Sequence, residues 1–298
     1  MRLVTFAPGK GAALRVGLVR DGDQVVDLAQ AGGKPPFDAH DMISLIAAGR
    51  KALKWLGGVA AKAKKTLPIE KVRLAAPIPR PRKNVFCVGW NYVEHFEESR
   101  VSRLHTVEFP AHPTFFSKVP TTVNGPYDPV PSHAGVTAQL DWEVELGVVI
   151  GRRGIDIKEA DALKHVFGYT VVNDISAREI QRRHGGQLFK GKGLDGTCPM
   201  GPWIVTADEV PDPHALYLTS RVNGVTKQDS NTRYMYFKIP RLIAELSAGM
   251  TLEPGDILST GTPAGVGHAR TPPEFMKAGD VLESEIAGLG LLRNKIGN

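Results

Sequence analysis

The chain has 298 residues, 42% hydrophobic and 23% charged, an ordinary globular composition. This length suits one large domain or a large one with a small appendage, and no run of ~18 apolar residues offers a helical membrane span. The net charge of +6 and pI of 9.3 raise nucleic acid as a partner. The cations are scattered and aromatics make up only 7%, so no stacking platform is expected, and a small anionic substrate accounts for the positive field equally well.

The opening Met1–Pro8 lacks the apolar core of a signal peptide and reads as a strand, and Cys87 and Cys198 form no C-x-x-C. Both features point to a reducing, cytoplasmic setting. Strands are expected at Leu3–Ala7, Leu14–Arg20 and Gln24–Leu28, with Asp21-Gly22 as a hairpin turn. A helix follows from about Asp41 to Lys65, broken at Gly49 and at Gly57-Gly58. Pro77, Pro79 and Pro81 make a semi-rigid connector. The boundary is placed there, with a small N-terminal α/β domain over residues 1–80 and the main domain over 81–298.

Val85–Gly89 reads as a buried strand, and Glu94–Glu98 as one or two helical turns. His95 and Glu98, three apart, share a face. A carboxylate beside an imidazole fixes its tautomer, as a general base requires, although the same spacing also suits a solvated surface pair. Residues 99–113, with Arg100, Arg103 and His105, read as a lid. Phe115–Lys118 resumes ordered structure.

Asp141-Trp142-Glu143-Val144-Glu145-Leu146-Gly147-Val148-Val149-Ile150 alternates acid with apolar and then runs apolar, the pattern of a strand entering a core. Asp141, Glu143 and Glu145 then share one face. At ~5 Å and an effective dielectric of ~20, each like-charged pair costs roughly 3 kcal/mol. Open water, raised pKa values or a hard divalent cation would each relieve this, and Gly147 on the same face leaves room for a ligand.

Gly168–Val172 is a second buried strand, ending at Asn173-Asp174. Asp174 is either a turn residue or part of a site. Ser176-Ala177-Arg178-Glu179 fits a capping box opening a helix that stops at Gly185-Gly186, with Arg178 and Gln181 on one face. Gly186–Gly193 nearly matches a P-loop but lacks the final Ser/Thr and a leading strand, leaving a glycine-rich loop that presents Lys190 and Lys192. Leu216–Val222 and Val225–Gln228 form a hairpin about Asn223-Gly224. A helix spans about Pro240–Ala248, and a strand Ile257–Thr260. The loop Gly261–Gly267 offers backbone N–H groups to an anion. Val281–Ile286 is taken as the last strand. Hairpins outnumber helices, so the fold class is β-rich α+β. The remaining histidines, His268 among them, give no zinc spacing.

Five ordered blocks between Val85 and Asn294 carry a resemblance. They are Val88-Gly89-x-Asn91-Tyr92-x-x-His95, the acidic stretch Asp141–Gly151, Gly168–Arg178, Gly191–Pro202 and Gly255–Gly267. In these the chain resembles the fumarylacetoacetate hydrolase family, whose longer members carry a small extra N-terminal domain. The resemblance implies a mixed β-sandwich roll with flanking helices, usually a homodimer. It implies Mg²⁺ or Mn²⁺, with Ca²⁺ also suited to the oxygen donors, on Glu143, Glu145 and Asp174. It places His95 and Glu98 as the water-activating pair, brought in by closure of the lid, and Lys192 as the catalytic lysine. Arg178, Gln181, Thr262 and Tyr92 take substrate-contacting positions, and Asp141 orients its neighbours. The implied activity is hydrolysis of a C–C bond in an acylpyruvate. Isomerisation or decarboxylation of a related diacid is the alternative.

Overall fold

The computed structural model describes residues 1–100 and 108–298, apart from the side chains of residues 60, 61, 99 and 100. Arg103 and His105, and the side chain of Arg100, lie outside what is described, and with them most of the expected lid. Among the described residues, twelve strands join one mixed sheet. Its centre is Val144–Ile150, antiparallel to Val166–Asn173 on one side and to Ile257–Ser259 on the other. Val85–Gly89 adds parallel to Ile257–Ser259, and Thr114–Lys118 closes that edge. On the far side Cys198–Thr206 pairs with Val166–Asn173 and then with Arg2–Ala7, so the strands of the first 75 residues continue the same sheet. The chain is a mixed α+β protein dominated by this sheet.

Both faces of the centre strand are covered, which explains its near-continuous apolar run. Val144, Leu146 and Val148 pack with Leu218, Ile286 and Leu292 of a second, four-stranded sheet. That sheet runs Val225–Asn231, Tyr217–Val222, Val281–Ile286, Gly290–Lys295, and its last strand was not expected from the sequence. On the other face Val149 and Val172 join a cluster containing Ile43, Leu45, Ile46 and Leu56 of the helix Met42–Lys62. Asp41 caps this helix by accepting from the Ile43 N–H at 2.8 Å. Gly49 kinks it at φ 52°, as expected, whereas Gly57 and Gly58 do not interrupt it. The turn Asn223-Gly224 has φ 52° and 77°, the primed geometry its composition demands.

Four local expectations are corrected. The acidic strand is broken: Leu140–Asp141 pairs with Ser176–Ala177, Trp142 and Glu143 belong to no strand, and the main strand starts at Val144. No acid in it faces water, since Asp141, Glu143 and Glu145 are all buried. Gly147 makes no room for a ligand, because a Cβ there would lie 2.7 Å from Val172 Cγ2. The capping box does not form: the helix Arg178–Arg183 starts after Ala177 without a side-chain cap, Ser176 Oγ donates to Asp174 O, and Glu179 accepts from the Ala138 N–H. The glycine-rich segment contains a helical turn, Leu188–Lys192, which buries Lys192.

Asn91 stitches these layers together. Fully buried, it donates to the carbonyls of Phe237 at 3.0 Å and Thr260 at 2.8 Å, and accepts from the Phe237 N–H at 2.8 Å. Asn91→Leu keeps the volume but strands three backbone groups, each costing roughly 1–3 kcal/mol. The expected loss is about 3 kcal/mol or more, read from the guanidinium midpoint; an unchanged midpoint would show that these bonds are dispensable.

Candidate functional site

Where the centre strand begins, the sheet gathers four buried carboxylates. Glu143, Glu145 and Asp174 bring one oxygen each to within 4.8 Å of one another. Local pairing sets this geometry. The Asp174 N–H donates to Glu143 O at 2.9 Å and the Glu143 N–H to Asn173 Oδ1 at 3.1 Å, so the ends of the two central strands are clamped side by side.

Three buried cations answer the acids. Lys192 Nζ bridges Glu143 Oε2 at 2.6 Å and Asp174 Oδ2 at 2.7 Å. Arg178 donates through Nη2 to Glu143 Oε1 at 2.6 Å and through Nε to Asp141 Oδ2 at 2.7 Å. Lys118 Nζ sits 3.0 Å from Asp174 Oδ1 and donates to Ile175 O. Burial pushes Glu143 up, but Lys192 and Arg178 outweigh it and hold the group well below the usual carboxylate range. The same pairs raise Arg178 and Lys192 against the effect of their own burial. Burial likewise works against Asp141, yet Arg178 and His268 hold it low.

Glu145 is the exception. It accepts from Ser259 Oγ at 2.5 Å and the Gly261 N–H at 2.9 Å, but among the described residues no cationic side chain lies within ion-pair distance. Burial, then Asp174 and Glu143, push it well above its normal value. Were all four carboxylates ionised, the three cations would leave one negative charge uncompensated, at Glu145. An all-oxygen donor set with an uncompensated charge fits a hard divalent cation.

A cavity of about 270 Å³ opens onto this cluster. Glu143, Glu145, Arg178, Gln181, Lys192 and Thr262 line it, and so does His95, whose Nδ1 is 2.8 Å from Glu98 Oε1. Glu98 Oε2 is fixed in turn by the Gly265 N–H at 2.8 Å. The structure thus places His95, Glu143, Glu145 and Lys192 on one cavity, with Glu98 and Asp174 in contact behind them. Thr262 serves the scaffold as well, donating to Val144 O and accepting from Gln228 Nε2. Tyr92 departs from its expected role: it is fully buried in the core beside the small sheet, it does not line the cavity, and among the described residues its hydroxyl has no hydrogen-bond partner.

Sequence reasoning missed Lys118, Phe116 and His268. A lysine closing the apolar run Phe115-Phe116-Ser117-Lys118 was the available signal for the first. Phe116 faces the Lys192 ammonium at 5.0 Å from its ring centroid. The loop Gly261–Gly267 does expose N–H groups to anions, but these include the protein's own Glu145, Glu98 and Asp141. Gly267 is required there, since a Cβ would lie 2.0 Å from Glu274 O and 2.8 Å from Asp141 Oδ1.

The chain is 45% identical to the oxaloacetate tautomerase YisK of Bacillus subtilis, over 95% of this chain and 96% of that protein. It is 41% identical to the mitochondrial oxaloacetate tautomerase fahd2 of Xenopus laevis, over 99% and 90%. Among solved structures, a fumarylacetoacetate hydrolase from Exiguobacterium antarcticum superimposes with a TM-score of 0.83 at 37% identity, covering 100% of this chain and 99% of that one. A maleylpyruvate hydrolase from Sphingobium sp. SYK-6, in complex with manganese(II) and pyruvate, gives 0.78 at 32%, covering 100% and 99%. The family model for the fumarylacetoacetate hydrolase C-terminal region matches residues 84–297, and the chain belongs to the fumarylacetoacetate hydrolase family.

Proposed function

We propose that the protein is a metal-dependent tautomerase of an oxaloacetate-type 2-oxo dicarboxylic acid. The observation that carries this reading is the His95–Glu98 dyad facing the buried acid cluster across one small cavity. The full-length similarity to oxaloacetate tautomerases supports it over acylpyruvate hydrolysis, which the sequence alone had put first. The cavity, about 270 Å³, lies at the small end of ligand pockets. Arg178, Arg182 and Lys192 on the wall suit an anionic substrate.

Glu143, Glu145 and Asp174 would hold the cation, Mg²⁺ or Mn²⁺ above all, with Ca²⁺ also matching the donors. Bound there, it would act as a Lewis acid stabilising enolate charge. The chain's own groups do the rest. Glu98 accepts the Nδ1–H of His95, leaving Nε2 to take a proton from, or return it to, the substrate carbon. The ammonium of Lys192 adds positive charge beside the developing oxyanion. Arg178 and Gln181, joined at 3.4 Å, hold the wall in shape. Hydrolysis is the second reading, supported by the likeness to the maleylpyruvate hydrolase, since the same dyad would serve water equally well. The homodimer implied by the family resemblance is part of this proposal.

Enol–keto conversion of oxaloacetate, followed by ultraviolet absorbance on chelated protein with and without Mn²⁺ or Mg²⁺, is expected to be accelerated only with metal. Pyruvate release from acylpyruvates without tautomerisation would overturn the assignment in favour of the hydrolase. His95→Ala should lower turnover roughly 10²- to 10⁴-fold, the ordinary contribution of a general base, with Mn²⁺ affinity by calorimetry unchanged. Metal at about a hundred times its dissociation constant should stabilise the protein by about 2.7 kcal/mol. That rise in melting temperature should vanish in Glu145→Gln; if it persists, the cation is held elsewhere.

A further inference from the structure

A second imidazole lines the same cavity. His268 sits in the helical turn Gly267–Ala269, its ring half-buried and its Nδ1 3.2 Å from Asp141 Oδ2. Asp141 also accepts from the N–H groups of Trp142, Gly267 and His268 and from Arg178 Nε. Every partner of this carboxylate is a donor, so Asp141 is an acceptor only and the hydrogen of the pair sits on His268 Nδ1. Nε2 is then the free nitrogen of the ring that lines the cavity, and no described residue bonds to it. His268 therefore repeats the construction of His95, an imidazole whose Nδ1–H is held by a fixed carboxylate. Both carboxylates are fixed by one loop, Glu98 by the Gly265 N–H and Asp141 by those of Gly267 and His268.

We propose that His268 is a second catalytic residue, exchanging a proton with the enol oxygen while His95 serves the carbon. This rests on the tautomerase reading. A tautomerase must move one proton at carbon and one at oxygen, and two separately held imidazoles on one cavity supply both ends. In the ketonising direction the enol O–H bond breaks and its proton passes to Nε2 of His268. The oxygen electron pair closes the C=O bond, the C=C pair swings to the adjacent carbon, and that carbon takes a proton from Nε2 of protonated His95. His268 ends protonated and His95 neutral, and exchange with water resets both. Because Asp141 also binds Arg178, which binds Glu143, the oxygen-side imidazole is tied rigidly to the acid cluster.

The test separates the two ends of the reaction in the metal-loaded full chain. Ketonisation of oxaloacetate is followed by absorbance, and hydrogen–deuterium exchange at its C3 by NMR in D₂O. His268→Phe should slow ketonisation roughly 10²- to 10⁴-fold. It should leave protein-catalysed C3 exchange within about threefold, because the enolate still forms and takes deuterium back from His95. His268→Ala should regain part of its ketonisation rate with added imidazole, an arm that does not depend on how the Phe variant packs. If His268→Phe ketonises at the wild-type rate, or if ketonisation and exchange fall together and imidazole restores neither, the proposal is wrong while the tautomerase reading stands. A wild-type protein that exchanges C3 hydrogens but does not ketonise overturns the tautomerase reading and this proposal with it.

Discussion

The burial of four carboxylates at one end of the central strand is the constraint that organises this protein. Unpaired buried charges of one sign are untenable in a low-dielectric interior, and removing one partner of a buried pair costs about 3–5 kcal/mol. Each element around the cluster supplies compensation: Lys118 from the sheet edge, Arg178 and Lys192 from two short helices, and N–H groups from the loop after Ile257–Ser259. Those elements are far apart in sequence, so the fold and the site are specified together. The charge balance stops one short, at Glu145, the charge a bound cation would offset.

The loop from Thr260 to His268 ties this electrostatic requirement to the geometry of the cavity. It lies along the centre strand, with the Thr260 N–H donating to Leu146 O and Thr262 Oγ1 to Val144 O. From there its N–H groups reach Glu145, Glu98 and Asp141 in turn. A sequence element that looks like a phosphate cradle is therefore an internal one, whose anions are side chains of the same chain. One segment thus holds Glu145 of the acid cluster and the carboxylates behind both imidazoles.

Much of this was legible in the sequence, and the failures share a cause. Hairpins about Asp21-Gly22 and Asn223-Gly224 were readable because turn chemistry is local. Period-two alternation correctly put Glu145 opposite Val144 and Leu146, but it carried Asp141 and Glu143 into a strand that in fact breaks at Trp142. Alternation reports only which face a residue occupies, not whether the ladder is continuous. Capping likewise failed where other partners won: Ser176 and Glu179 had the right spacing, yet Asp174 O, two residues back, and the distant Ala138 N–H claimed them. Lys118 and His268 were invisible to motif reading because what gives them meaning, Asp174 and Asp141, lies 56 and 127 residues away. Tyr92 erred the other way, its place in a motif suggesting a contact where the structure buries it.

The same geometry explains why one family scaffold accommodates tautomerases, isomerases and hydrolases. Holding a 2-oxo acid beside a cation site and a lysine stabilises an enolate, and each of these reactions passes through or near such a species. What differs is the fate of the next proton. A dyad that finds a substrate carbon moves hydrogen; one that finds water delivers hydroxide. The acid cluster cannot make that choice, because it is occupied with charge balance. That choice would fall to the groups lining the cavity, His95 and His268 among them.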